Sequence, residues 1–230
     1  MKTLGIIGGL GPESTIDYYK LIVAAYREQT NGGYPAIIIN SVDLNKARDL
    51  VTANALAELS EYLVAEVQRL ARAGADFGLI SANTPHIVFD EVRRQVSIPL
   101  LSIVEATCEA VRALGMKRVG LMGTRFTMQG RFFPDVFTKA GIALAVPRED
   151  EQAYIHEKYL GELVNGVFLP ETRERIREII HRLKRSDGIE AVILGGTELP
   201  LLLRDASAQD IPFLDTTQIH VEAAVTEMLS

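Results

Sequence analysis

Short apolar runs alternate along this chain with stretches whose apolar positions recur every three or four residues. Leu4–Ile7, Ala36–Asn40, Phe77–Ile80 and Pro99–Ile103 have the length of strands, as do Val119–Met122, Ala143–Val146, Ala191–Leu194 and Phe213–Leu214. Thr15–Gln29 repeats Ile16, Tyr19, Ile22 and Ala25 at helical steps, and Ala53–Ala73 places Leu56, Leu59, Leu63, Val67 and Leu70 on one face. That spacing predicts a helix over each. Helices are also predicted over Pro85–Gln95, Thr127–Ala140, Glu157–Val164 and Glu171–Arg185, and again after the last strand. Strands built almost wholly of Val, Ile and Leu and separated by helices belong to a mainly parallel sheet covered on both faces. The fold class expected is α/β.

The pattern restarts half-way. Lys2-Thr3-Leu4-Gly5-Ile6-Ile7-Gly8 aligns with Lys117-Arg118-Val119-Gly120-Leu121-Met122-Gly123, an offset of about 115 residues that marks a domain duplication and not a solenoid. Two pseudo-symmetric lobes are expected, residues 1–98 together with 207–230, and residues 99–206. A small-molecule cleft would lie where the strand ends of the two lobes meet.

Two polar turns follow apolar runs at matching places in the repeat. Ser81-Ala82-Asn83-Thr84-Pro85-His86 follows Phe77–Ile80, and Gly195-Gly196-Thr197-Glu198-Leu199-Pro200 follows Ala191–Leu194. Strand ends of this kind are where open α/β sheets hold ligands. Asn83, Thr84 and Thr197 supply amide and hydroxyl groups suited to a carboxylate. The loop containing Gly9, with Ser14 or Thr15 capping the following helix, offers backbone donors for another. In its counterpart, Thr124 and Thr127 would hold a second polar group of the ligand. His86 and Glu198 lie within reach of a proton on such a ligand. Each position has a plainer reading as well: a tight turn, a helix cap or a hydrogen-bonding core residue.

Composition narrows the chemistry. A net charge of −6 argues against a nucleic-acid surface. Cys108 is the only cysteine, so an intramolecular disulfide, a thiolate cluster and two-thiol chemistry are excluded, and a reducing cytoplasm is the natural setting. The apolar N-terminal run is too short for a membrane span, and no signal-peptide pattern is present. Gly8, Gly9 and Gly11 do not make the dinucleotide spacing, and no lysine stands at phosphate-loop spacing. His181 and His220 have no partner at metal-ligand spacing. Neither a cofactor nor a metal is expected.

Together these motifs resemble the aspartate/glutamate racemase family, cofactor-independent amino-acid racemases. The resemblance rests on Ile6-Ile7-Gly8-Gly9-Leu10-Gly11-Pro12, on Asn83-Thr84-Pro85-His86, on Glu162-Leu163-Val164-Asn165-Gly166 and on Thr197-Glu198-Leu199-Pro200. It implies two pseudo-symmetric α/β lobes, a dicarboxylic amino acid held between them and a homodimer. It also implies one cysteine before the Asn-Thr and another before the Thr-Glu-Leu, one removing the α-proton and the other returning one. Those positions here are Ala82 and Gly196, and Cys108 falls mid-helix elsewhere.

The function expected is therefore a PLP-independent isomerase acting at the α-carbon of a small acidic amino acid without the thiol pair. His86, Glu198 and Lys158 are the candidate acid–base groups; a lysine desolvated beside a cleft has a lowered pKa. The alternatives are a lyase, decarboxylase or cis–trans isomerase of a related dicarboxylate, and a non-catalytic protein that binds an acidic metabolite. Arg48, read as lying in a loop, and Arg125 and Arg131 are further partners for a ligand carboxylate, or else surface ion pairs.

Overall fold

The computed structural model describes residues 1–203 and 211–230. The chain divides into two compact units, Met1–Ala106 with Thr217–Ser230, and Thr107–Thr216. The domain boundary expected at 206–207 lies outside the described residues.

The first unit holds β1 (Leu4–Gly8), β2 (Ile37–Ser41), β3 (Phe77–Ile80) and β4 (Leu100–Leu101) in a parallel sheet ordered β2-β1-β3-β4. The second holds β5 (Arg118–Gly123), β6 (Ala143–Ala145), β7 (Ala191–Gly195) and β8 (Phe213–Asp215), parallel and ordered β6-β5-β7-β8. The two orders are the same with four added to each strand number, so the sequence repeat is a repeat of topology. β4 pairs with β3 through Gly78↔Leu100, and β8 pairs with β7 through Val192↔Phe213. Strand β4 therefore closes the first sheet, although the repeat reading begins the second lobe at 99, and β8 closes the second.

The helices of the first unit are α1 (Pro12–Gln29), α2 (Leu44–Thr52), α3 (Leu56–Arg72), α4 (Phe89–Gln95) and α11 (Thr216–Leu229), with a 3-10 turn over Thr84–Val88. Helix α5 (Ile103–Ala113) starts in the first unit and ends in the second. The second unit adds α6 (Arg125–Gln129), α7 (Phe132–Lys139), α8 (Glu149–Gly161), α9 (Pro170–Asp187), α10 (Leu199–Leu203) and a 3-10 turn over Leu163–Asn165.

Helix α11 comes from the far end of the chain yet belongs to the first core. Its Val221, Ala224, Val225 and Met228 pack with Leu4, Ile6, Tyr18, Ile22, Phe77 and Leu79, all buried. Burial of Val221, Val225 and Met228 contributes about 1.5–3 kcal/mol each. The chain end is tied down as well, since the Lys2 N–H donates to the Met228 carbonyl.

Several helices differ from those predicted. The single helix over Ala53–Ala73 starts later, at Leu56, after Asn54 in the left-handed region at φ 54. A separate α2 precedes it, capped by Asp43, whose carboxylate accepts from the Asn45 and Lys46 N–H groups. Arg48 therefore lies on a helix and not in a loop. The helix over Thr127–Ala140 is two helices, α6 and α7, separated at Gly130, whose ψ of 157 is extended. The helix over Pro85–Gln95 starts as the 3-10 turn at Thr84 and becomes α4 only at Phe89.

Helix α8 starts at Glu149, well before the predicted Glu157. Its first buried positions are polar, Glu151 and Gln152, so no apolar stripe announces it. Glu151 is bonded to the Arg182 guanidinium of α9, with Nε donating to Oε1 at 2.7 Å, and that pair lets the carboxylate stay buried. Among the described residues no helix is long and apolar enough to cross a membrane.

Candidate active site

In the first unit the ends of neighbouring β1 and β3 lie side by side and their turns are cross-braced. The Ser81 hydroxyl donates to the Ile7 carbonyl at 3.1 Å, and the Ser14 hydroxyl donates to the Ser81 carbonyl at 3.2 Å. Gly9 sits at φ 81, and a Cβ there would fall 2.5 Å from the Val42 carbonyl oxygen, so this turn accepts only glycine. Neither Ser14 nor Thr15 caps α1. Gly11 is the cap residue with Pro12 at the first helical position, and the Thr15 hydroxyl instead accepts from the Gly9 N–H at 2.9 Å. Asn83 is buried, and Thr84 opens the 3-10 turn.

His86 is a neutral structural histidine. Its Nδ1–H donates to the Ala82 carbonyl at 3.0 Å, and its Nε2 accepts from the Ile103 N–H at 3.3 Å. Its ring stacks on Phe89 with centroids 4.6 Å apart. Burial, with the nearby His220 second, pushes its pKa down to about 3. Both nitrogens are taken by main chain, so His86 ties the turn to the start of α5; this is not the bonding of a proton shuttle.

The second unit repeats the strand-end arrangement with different chemistry. Thr124 caps α6, its hydroxyl accepting from the Thr127 N–H, and the two buried hydroxyls lie 3.3 Å apart. Thr124, not Thr127, is thus the cap. Past the end of β7, Glu198 is buried to 2% exposure and its Oε2 accepts from the Tyr159 hydroxyl and from the Thr197 hydroxyl, the latter at 3.0 Å. Burial raises the Glu198 pKa, partly offset by those two donors. The Tyr159 phenol is held well above its ordinary value by burial and by the adjacent carboxylate. Tyr159 comes from α8 and also borders Gly196: a Cβ at 196 would lie 2.4 Å from the ring carbon Cε2.

Lys158 does not share this environment. Its ammonium pairs with Glu162 at 2.5 Å, and that bond raises its pKa where a cleft-side base would need it lowered. Glu162 also accepts from the Thr172 hydroxyl. We expect Lys158→Ala to leave any turnover within about twofold of wild type, as for an ordinary ion pair on a helix; a loss of tenfold or more in a steady-state assay would restore the lysine to the site. Arg131 pairs with Asp135, Arg48 lies 3.7 Å from Asp49, and the Arg125 guanidinium stands over the Phe126 ring. Cys108 is buried in α5, where burial raises its thiol. Among the described residues no group of three or more His, Cys, Asp or Glu could hold a metal ion.

The family model for Asp/Glu/Hydantoin racemase matches residues 7–224. The chain belongs to that family. A broad specificity amino-acid racemase, RacX of Bacillus subtilis, is 23% identical over 99% of this chain and 98% of its own length. Among solved structures, a candidate Asp/Glu racemase from Yersinia pestis is 33% identical with a TM-score of 0.90, and an aspartate racemase homologue, PH1733 of Pyrococcus horikoshii, is 33% identical with a TM-score of 0.85. Each match covers the whole of both chains. Glutamate racemase of Francisella tularensis, solved with D-glutamate, is 14% identical with a TM-score of 0.70 and shares the fold.

The two positions at which the sequence resemblance implies thiols carry none here. At 82 stands a methyl group, and the ionisable neighbour, His86, has both nitrogens bonded. At 196 stands no side chain at all, and a phenol lies against the vacant side. Tyr159 was not among the residues singled out from the sequence. Nothing in the local pattern of α8 marks it, because its partners Gly196 and Glu198 lie beyond the whole of α9 and β7.

Proposed function

We propose that this chain is a PLP-independent isomerase of the racemase family that acts at the α-carbon of a small acidic amino acid, with Glu198 in place of a thiol as the ionisable group. One observation carries the reading. A buried carboxylate accepting two hydroxyl donors sits in the Thr197-Glu198-Leu199 segment, at the end of a central strand. A base whose pKa is raised toward neutrality by burial is better matched to proton transfer than an exposed carboxylate. Thr124, Thr127 and Thr197, in the unit that carries Glu198, are the groups proposed to hold the substrate's carboxylates and amine; Asn83, Thr84, Ser14 and the Gly9 turn are the matching polar set at the strand ends of the first unit. The reading carries with it a homodimer in the cytoplasm, which the family resemblance and the single buried thiol support.

The chemistry has a measurable signature. Neither Ala82 nor Gly196 carries an ionisable side chain, so one acid–base centre, Glu198 with the hydroxyl bonded to it, would both remove the α-proton and return one. Return by the same group restores the original configuration more often than it inverts it. In D₂O, L- and D-aspartate and L- and D-glutamate are therefore tested by proton NMR for loss of the α-proton and by chiral chromatography for inversion. Deuterium should enter at least one of them several-fold faster than configuration is lost. No exchange with any of the four would overturn the proposal, and release of ammonia or carbon dioxide would move the chain to lyase or decarboxylase chemistry.

A further inference from the structure

Position 196 is glycine for a reason of space. Its φ lies outside the left-handed range, unlike that of Gly9 or Gly188, so its backbone would accept any L-residue. What bars a side chain is Tyr159. A Cβ at 196 would lie 2.4 Å from Cε2, 2.9 Å from the phenol oxygen and 3.0 Å from Cζ. The ring cannot readily swing aside. It is 5% exposed, packed in the core with Ile155, Leu163, Ile176 and Leu199, and its hydroxyl is tied to Glu198. Interiors packed this closely pass even a single added carbon on to their neighbours.

We propose that Tyr159 takes the place of the thiol at the second unit's turn, its phenol filling the space of a side chain at 196 and forming with Glu198 a two-residue proton relay. The packing half stands on geometry alone; the catalytic half rests on the proposed α-carbon chemistry. In the relay, the α-C–H bond of the substrate breaks as its proton bonds to the Tyr159 oxygen. The phenol's own proton passes to Glu198, and the electron pair stays on the α-carbon, delocalised into the substrate carboxylate. The reverse step returns a proton to carbon and restores both residues. No oxidant or cofactor is consumed. A phenol alone is too weak a base for this step, and the adjoining carboxylate supplies the missing basicity.

Two sets of variants test the proposal. Gly196→Ala should lower Tm by about 3–10 °C wherever an aromatic ring stands at position 159, that is, alone and combined with Tyr159→Phe, and should cost under about 1 °C when combined with Tyr159→Leu. An equal cost in all three backgrounds, or none in the first, overturns the packing half. If Tyr159→Leu does not fold, the cost of Gly196→Ala in the wild-type background still decides the matter. Tyr159→Phe keeps the ring and removes the O–H, so α-deuterium exchange should fall by about 10²-fold or more. Exchange at the wild-type rate overturns the relay. Should the wild-type protein exchange none of the four amino acids, the relay falls with the proposed function, and the Tm series still decides whether the phenol occupies the thiol's place.

Discussion

Glu198→Gln should lower α-proton exchange by about 10²–10⁴-fold, the range that a positioned acid–base group contributes, while the protein stays folded. Glutamine is close in shape, and its carbonyl can accept from the same Tyr159 and Thr197 hydroxyls. Stability should move in the opposite direction to activity. Burial raises the folded-state pKa of Glu198 above its unfolded value. Its contribution is therefore most favourable below the unfolded pKa and is lost as pH rises through the folded one. The variant has no such loss, so its Tm relative to wild type should increase between about pH 4.5 and pH 8. Thermal unfolding across that range, beside NMR exchange rates, checks both statements. A variant that exchanges normally would remove Glu198 from the chemistry. A Tm difference that shrinks with pH would mean that the buried carboxylate is not under the strain its surroundings impose.

The second large effect is acid sensitivity of the first unit. His86 is pushed down to about 3 and His220 to about 4, each mainly by burial. In His220, Nε2–H donates to the Leu101 carbonyl at 3.2 Å and Nδ1 accepts from the Tyr18 hydroxyl at 2.8 Å, so it too is held neutral. For a depressed pKa the stabilisation is present above the unfolded value near 6.5 and is lost as pH falls from there toward the folded value. Complete loss amounts to about 3–5 kcal/mol for each histidine, against a typical total stability of about 5–15 kcal/mol. Urea midpoints should therefore fall steeply between pH 6.5 and pH 4.5. Glu151, Glu162 and Glu190, whose pKa values are lowered, keep their contribution above the unfolded carboxylate pKa, and Glu198 works in the opposite sense. Replacing His220 by glutamine should reduce the slope by about 1.4 kcal/mol per pH unit. An unchanged slope would show that His220 is not a buried neutral group.

The parts of the fold that were legible in the sequence are those in which neighbours in sequence decide the pattern. Leu4–Ile7, Phe77–Ile80, Val119–Met122 and Ala191–Leu194 are continuous apolar runs, and each is a central strand buried on both faces. The helix predicted on Leu56, Leu59, Leu63, Val67 and Leu70 is α3, although its start was misplaced. Only the second half of α8 is legible as a helix, because the Glu151–Arg182 pair that lets its first turn be buried lies between residues 31 positions apart. No helical stripe in the sequence announces the helix that carries Arg48, because Ala47 and Val51 are the only buried positions of the short α2. The candidate site divides in the same way. Its polar residues at 83, 84, 124, 127, 197 and 198 were visible as strand-end turns. The bonding that separates the structural His86 from the pairing of Glu198 with Tyr159 was not.

By itself, the sequence determined the α/β class, the duplication, the family and the absence of cysteine at both turns, since each is written in residue types and their spacing along one chain. Only the tertiary structure decided which polar groups are already spoken for. It bonded both nitrogens of His86 to main chain, paired Lys158 with Glu162, and brought the Tyr159 ring against Gly196 and its hydroxyl to Glu198. The contacts of His86 with Ile103 and of Tyr159 with Gly196 and Glu198 join residues separated by whole helices and strands, and the protonation of these groups follows from burial. A local pattern of residues encodes neither.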